Sequence, residues 1–495
     1  MEYESLLGKR GRRASDQVIW DLRISELLND ILGKEKDEYL GALYLEQLDE
    51  KDAAVFRLNV FQDMLRKDVY DEVVNFVEKI RECMRILELE KEAYEQHKPG
   101  LHLDAALEYI EALESFHEKL SSVKIGSEGL KHFLAYLNSI IESETFRSMK
   151  ERAYEAKAAR EKIKVRVKII GDKIKVWSYD DGEDLASFIE ALFARFKGSG
   201  QVEEVKYHRT AGEMSHIHAA ILEGAFGFFK EEYNILRKFS EDFPSIIDEG
   251  VRDFSKEAEF YISYVKFMRR IEEKGYPFVI PRFTTDGSIK VKGFYSPLLA
   301  KIGKAIPNDI ETDGEKRIFT ITGMNGGGKT TFSISFGQLS YLSKLGVPVP
   351  ASEAMLPFFS SIMTAFPIEE DKGEELSRLE HDVVRAWNIL KSANDSSLVI
   401  TNELFSTTTS EEGFQLAELF LGELNKKRAY CLYVTFIPKV ASLSYVISLV
   451  AMPSPEEPLR PSYKILPGSP PAEYMAIRIA AKYQLVYEKL KGMLG

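Results

Sequence analysis

Gly323-Met324-Asn325-Gly326-Gly327-Gly328-Lys329-Thr330 is the stretch that most narrows what this chain can fold into. The apolar run Ile318 to Ile321 precedes it, and apolar residues at helical spacing, Phe332, Phe336, Leu339 and Leu342, follow it. Strand, glycine-rich turn and helix in that order satisfy G-x-x-x-x-G-K-[ST], a phosphate-binding loop. Its glycines let backbone N–H groups turn toward phosphate oxygens, and the N-terminus of the following helix adds a favourable dipole. The expected contacts to a nucleotide, ATP being the simplest choice, are Asn325, Gly326, Gly327, Gly328, Lys329, Thr330 and Thr331. Lys329 would reach the β- and γ-phosphates, and the Thr330 hydroxyl would ligate Mg²⁺.

A second element is needed to hold the metal and activate water. The apolar strand Leu398 to Thr401, ending in Asn402-Glu403, is the candidate. Glu403 is expected to act as the catalytic base, with Lys329 as its catalytic partner at the phosphates. Asn402 offers Mg²⁺ a carbonyl oxygen but no negative charge, so weak metal binding or slow hydrolysis is expected.

The rest of the chain divides by pattern. From about Ser15 to Ala159 long segments repeat apolar residues every three or four positions, which predicts helices. From Lys162 to Trp177 apolar and basic residues alternate around Gly171-Asp172, which predicts a basic β-hairpin. Helical spacing returns over Asp184 to Arg195 and from Gly212 to Glu273, with a break near Pro244. Phe226, Phe228, Phe229, Tyr233 and Phe239 in that stretch read as packing residues, and His216 and His218 as core or surface histidines rather than metal ligands. Beyond Gly275 short β-type runs alternate with helical ones, which predicts an α/β domain with a largely parallel sheet. The expected division is therefore 1–275, with an insertion at about 160–205, and 276–495.

The net charge of -12 requires any nucleic-acid contact to be local. Residues 147–175 supply such a patch, with eleven Lys and Arg against four Asp and Glu. A cationic hairpin suits a DNA backbone without base specificity, and Lys162 to Lys175 is the expected contact segment. Cys83 and Cys431 stand far apart and suit a reducing compartment. No apolar run is long enough for a membrane span and the N-terminus does not read as a signal peptide, so a cytoplasmic protein without membrane contact is expected.

Several motifs resemble the MutS family of DNA mismatch-repair ATPases, in that family's order. Pro307-Asn308-Asp309 precedes the glycine loop, and Thr322 to Thr330 is similar to the family's T-G-P-N-M-G-G-K-S. Gly346 to Ala351 resembles G-x-x-V-P-A, and Thr408 to Gly413 resembles T-S-T-x-D-G. Ser377, Asp382 and Asn388-Ile389-Leu390 resemble the signature segment. The resemblance implies an α/β P-loop (ABC-type) ATPase domain preceded by a mainly α-helical core and lever domain with a small β-hairpin insertion. It further implies ATP with Mg²⁺, a homodimer in which Ser377 reaches the partner's γ-phosphate, and a clamp on DNA in repair or recombination.

The chain also departs from the family. Asn402 replaces the Walker B aspartate, Phe436 stands where a switch histidine is usual, and Asp382 takes a position that is commonly Glu. No segment ahead of the helices reads as the family's mismatch-reading domain, and no nuclease-like module is expected after a helix over Ala472 to Leu494. The family's F-x-E wedge matches Phe116-His117-Glu118 only literally, since that tripeptide falls within a predicted amphipathic helix. Two functions stay open from the sequence: an ATPase clamp on structured or mismatched DNA, and a nucleotide-gated dimer with little or no hydrolysis acting on DNA or protein partners.

Overall fold

The computed structural model describes residues 2–33, 37–170, 173–178, 216–367, 377–457 and 460–470. Outside them lie the helix expected over 184–195, much of the insertion expected at about 160–205, the turn Gly171-Asp172, the helix expected over 472–494 and the side chains of His216 and His218. The chain forms two compact units: Met1–Glu4, Lys67–Ile125 and Leu130–Ala258 make one, and Ser5–Arg66, Gly126–Gly129 and Glu259–Gly495 make the other. The division is thus discontinuous. It falls at Ala258 rather than near residue 275, and Ser5–Arg66 belongs with the α/β residues instead of the helical ones.

Ser5–Arg66 supplies β1 (Arg12–Arg13), α1 (Asp16–Asp21), α2 (Ile24–Leu32), α3 (Glu38–Tyr44), β2 (Glu46–Gln47) and α4 (Lys51–Met64). The helical unit contains α5 (Lys67–Glu92), α6 (Lys98–Ser121), most of α7 (Glu128–Ile141), α8 (Glu144–Lys162), the hairpin β3 (Val165–Ile170) and β4 (Lys173–Ser178), α9 (His216–Phe228) and α10 (Lys230–Asp242). Pro244 breaks the helical run as expected, and α11 (Glu249–Glu272) restarts it. The apolar stripes of α5, α6, α7 and α11 meet in an aromatic cluster, with Phe133 stacked on Phe254 at 3.4 Å and Phe76 on Phe116 at 4.3 Å. Phe116 is therefore core, and Phe116-His117-Glu118 is no wedge.

One polar device crosses this core. His102 is buried, with Nδ1 3.0 Å from Glu90 Oε2 and Nε2 2.9 Å from the Phe243 carbonyl oxygen. A carbonyl can only accept, so Nε2 donates to Phe243, and Nδ1 shares a proton with the Glu90 carboxyl. Burial alone would lower its pKa, but the Glu90 hydrogen bond and charge, with the Phe243 carbonyl, leave it raised.

The α/β unit continues with β5 (Arg282–Thr284), β6 (Ile289–Phe294), α12 (Pro297–Ala300), β7 (Asn308–Thr312), β8 (Ile318–Gly323), α13 (Lys329–Leu345), β9 (Glu353–Pro357), β10 (Ser361–Ala365), α14 (Arg378–Ser392), β11 (Ser397–Asn402), α15 (Ser410–Lys426), β12 (Tyr430–Val434), β13 (Val446–Pro453) and β14 (Pro461–Pro467). Six strands form one sheet in the order β10-β11-β12-β8-β13-β14, and β5-β9-β6-β7 form a second. All pairings in the larger sheet are parallel except β13 with β14, as the alternating pattern predicts. The second, mixed sheet was not expected. Among the described residues no helix is long and apolar enough to cross a membrane.

The surroundings of α13 explain why Ser5–Arg66 joins this unit. Beyond its apolar stripe, α13 also buries Ser333, Ser335, Gln338, Ser340, Ser343 and Lys344. Segment 5–66 satisfies several of these groups: Gln338 Nε2 donates to the Leu22 carbonyl at 2.9 Å, and Tyr341 Oη to that of Tyr44 at 2.9 Å. The Lys344 ammonium donates to the carbonyls of Leu48 at 2.6 Å, Phe359 at 3.0 Å and Ser360 at 2.9 Å. Arg57 of α4 is fully buried and donates to the carbonyls of Leu7 at 2.9 Å, Leu345 at 3.2 Å and Lys9 at 3.3 Å. A helix buried on all sides needs such partners, because each unpaired polar group would cost about 1–3 kcal/mol.

Candidate functional site

β8 lies between β12 and β13 in the interior of the larger sheet, and its carboxyl end delivers Gly323 and the loop to the first turn of α13. Gly323, Gly326 and Gly328 have φ of 108°, 70° and 90°, a region where other residues are strained. At Gly323 a Cβ would also come within 2.9 Å of the Ala451 backbone, so the neighbouring strand β13 fixes glycine there as well. The loop faces a cavity of about 760 Å³, lined by Asn325 to Phe332 together with Glu403 and Phe436. Sequence reasoning thus placed Asn325, Gly326, Gly327, Gly328, Lys329, Thr330, Thr331 and Glu403 at one cavity.

Lys329 Nζ donates to the carbonyls of Gly323 at 3.1 Å and Met324 at 3.0 Å and lies 4.6 Å from the centroid of the Phe436 ring. Burial lowers its pKa, and the charge of Glu403 opposes that shift. Burial raises the Glu403 pKa in turn, opposed by Lys329. The two charges therefore stabilise each other across the cavity, and a phosphate would compete with Glu403 for the ammonium. Thr330 Oγ1 lies 3.1 Å from Asn402 Oδ1, bringing together the two residues expected at a metal. Hydroxyl and amide oxygens are hard ligands suited to Mg²⁺, but they carry no charge. Among the described residues no group of three or more His, Cys, Asp and Glu could hold a metal ion. The donors fit a Mg²⁺ whose remaining ligands are phosphate oxygens and water.

The turn after β11 is strained. Glu403 and Phe405 adopt φ of 58° and 63°, which non-glycine residues rarely do, at about 1–3 kcal/mol each. Backbone pairing holds Glu403 there, its N–H donating to the Val434 carbonyl at 2.9 Å. Buried Asp382 of α14 accepts from the Phe405 N–H at 3.1 Å and from Arg385 at 2.9 Å. Gly413 at the start of α15 closes the other side, where a Cβ would meet Phe405 O at 2.9 Å and Ile437 at 2.8 Å. Asp382 and Gly413, both quoted for the family resemblance, therefore brace the loop that carries Glu403.

Ser377 sits elsewhere: it is the N-cap of α14 and does not line the cavity. Its Oγ accepts from Glu380 N at 3.3 Å, while Glu380 Oε2 accepts from Ser377 N at 2.8 Å, a reciprocal capping box. Serine three residues before glutamate was the sequence signal for that role.

Sequence reasoning missed the aromatic lining. Phe294, Tyr295, Ile306 and Tyr463 face the same cavity, a surface suited to a planar base. Asn308, noted only for its motif, organises them: its Nδ2 donates to the carbonyls of Ile306 at 3.1 Å and Tyr463 at 3.1 Å, and its Oδ1 accepts from Ile465 N at 2.8 Å.

The basic patch in the helical unit is narrower than its composition. On α8, Lys150 pairs with Glu114, Arg152 with Asp242, and Arg160 with Asp104 at 2.6 Å. These cations brace helices. On the hairpin, Lys168 lies directly opposite Lys175 and Arg166 opposite Trp177, all exposed. The described residues supply no ion pair to Lys168 or Lys175, so this face of the hairpin carries uncompensated positive charge.

Comparison with known proteins locates the site within a family. The family described as MutS domain V matches residues 319–455. The chain is similar to an Endonuclease MutS2 of Bacillus velezensis, 33% identical over 38% of this chain and 25% of the relative. It is similar to an Endonuclease MutS2 of Carboxydothermus hydrogenoformans, 29% identical over 52% of this chain and 34% of the relative. It also resembles a DNA mismatch repair protein MutS of Thermotoga petrophila, 30% identical over 34% of this chain and 21% of the relative. The chain thus spans about a fifth to a third of the length of these curated relatives.

Proposed function

From the premise that this chain is a MutS-family protein, we propose that it is an ATP-dependent DNA-binding protein of repair or recombination, built on a P-loop ATPase domain. The observation that carries the reading is the convergence of Lys329, Thr330 and Glu403 on one cavity beside a glycine loop, with Asn402 hydrogen-bonded to Thr330. Lys329 leaves the Gly323 and Met324 carbonyls for the phosphates, and α13 presents its first-turn N–H groups to them. Asn325, Gly326, Gly327, Gly328 and Thr331 complete the cradle, and Thr330 and Asn402 hold Mg²⁺. Bound Mg²⁺·ATP supplies the phosphoanhydride, and Glu403, its pKa raised by burial, orients and deprotonates water. A homodimer is part of the reading: Ser377, at the N-terminus of α14, serves the partner's nucleotide. Closure of that dimer changes the grip of a clamp on DNA, with Lys162–Lys175 as the contact segment.

One observation favours a second reading, a nucleotide-gated protein with little hydrolysis. Phe436 holds the Lys329 ammonium against its ring and has no group that could hydrogen-bond a γ-phosphate. Steady-state turnover of the wild type and of Glu403→Ala separates the two. The ATPase reading expects at least a tenfold lower rate in the variant with nucleotide affinity retained. Wild-type turnover no faster than the variant's, with ATP still bound, leaves the gated protein.

A further inference from the structure

The β3–β4 register sorts the hairpin into two chemically different faces. Side chains two apart on a strand share a face, so Arg166 and Lys168 lie on one side with their cross-strand partners Trp177 and Lys175. Val167 and Val176 occupy the other face. On that second face Val176 packs against α9, where a Cβ on Gly224 would approach Val176 Cγ2 at 3.0 Å, while Val167 is 37% exposed. The cationic face is left outward, with Trp177 41% exposed on it.

Two features of this face do not follow from a need for solubility. Like charges placed directly opposite on paired strands repel, so Lys168 and Lys175 weaken the hairpin unless an anion lies between them. A strand face kept soluble by lysine also gains nothing from an indole, the largest apolar surface a side chain can expose. A polyanion carrying flat apolar rings accounts for both at once. Nucleic acid is such a molecule, with phosphates for the cations and base faces for the indole. Base faces are covered by their neighbours in an intact duplex. They are accessible at tails, gaps and junctions.

We infer that this face is a stacking platform for unpaired bases, Trp177 taking the base while Lys168 and Lys175 hold the adjoining backbone. The inference rests on the DNA-binding reading above and makes it specific: the preferred nucleic acid is single-stranded or carries unpaired nucleotides. Backbone contacts serve any strand alike, so the preference resides in Trp177.

The chain has three tryptophans, and Trp20 and Trp387 are exposed. In the 495-residue chain with Trp20→Phe and Trp387→Phe, tryptophan emission comes from Trp177 alone. At low salt, oligothymidylate should quench that emission, and a duplex of equal length should leave it largely unchanged. Trp177→Ala should weaken oligothymidylate binding about tenfold or more and leave duplex binding and the melting temperature unaltered. Trp177→Phe should retain most of the affinity. Equal binding of both DNAs with no effect of Trp177→Ala overturns the platform while the DNA reading stands. So does an equal loss for both DNAs in Trp177→Ala. Binding of neither DNA by the wild type removes the DNA reading itself, and the platform with it.

Discussion

Arg57, Lys329 and Lys344 in the α/β unit point into backbone carbonyls, whereas Lys168 and Lys175 in the helical unit face each other on an exposed hairpin. Between these extremes stand Lys150, Arg152 and Arg160 of α8, each paired with a carboxylate. Cations of the same chemistry thus do different work according to what surrounds them. Carbonyls that are fixed in place make Arg57 and Lys344 braces. The Lys329 cradle lines an open cavity, so its carbonyls can be exchanged for phosphate. The hairpin lysines have neither kind of partner among the described residues, which suits them to the DNA contact proposed above.

Changing the partners should break this ordering in a graded way. Arg57→Ala should have the largest effect, about 3–5 kcal/mol of stability, because the buried carbonyls of Leu7 and Leu345 and the part-buried one of Lys9 lose their donor. Denaturant unfolding measures it, and a loss below about 1 kcal/mol would show that the brace is dispensable. Lys329→Ala should leave stability nearly unchanged and lower nucleotide affinity about ten- to a hundredfold, read by titration calorimetry.

His102 extends the comparison to a charge that can be removed. Its pKa is raised in the fold, so its stabilisation is complete below the unfolded value of about 6.5 and is lost as pH rises through the folded value. Melts across that window should show the helical unit weakening toward higher pH, and His102→Gln should flatten the profile. Lys168→Ala with Lys175→Ala should reduce the salt slope of DNA binding by about two, one per lost phosphate contact. Arg160→Ala should have the smallest effect, about 0.5 kcal/mol of stability and no change in that slope. A slope change at Arg160 as large as at Lys168 would merge brace and capture into one class.

The sequence made the loop, its strand and its helix legible because glycine content and apolar periodicity report local conformation directly. β11 with Asn402 and Glu403 was legible for the same reason, and so was the break at Pro244. Arg57 was not, since a lone arginine in a helical pattern reads as solvent-facing until the carbonyls around it are known. The placement of Ser5–Arg66 depended on contacts with α13 that lie far away in sequence. β5 and β9 are short and lack a clean alternation, which hid the second sheet. Ser377 was read as a signature serine, and its local role, the capping box with Glu380, went unread. Phe294 and Tyr295 stand at the end of β6 and Tyr463 on β14, far apart in sequence, so no spacing could announce a shared cavity wall.

The central claim is that the nucleotide cavity governs how the chain holds DNA. Its most direct test is the dissociation constant for single-stranded, branched and fully paired DNA, measured with and without ATP and Mg²⁺, in the wild type and in Lys329→Ala. ATP should shift the wild-type constant at least fivefold for one or more of these DNAs, a coupling of about 1 kcal/mol, and should shift none for Lys329→Ala. Wild-type constants that are the same with and without ATP on every DNA would contradict the claim.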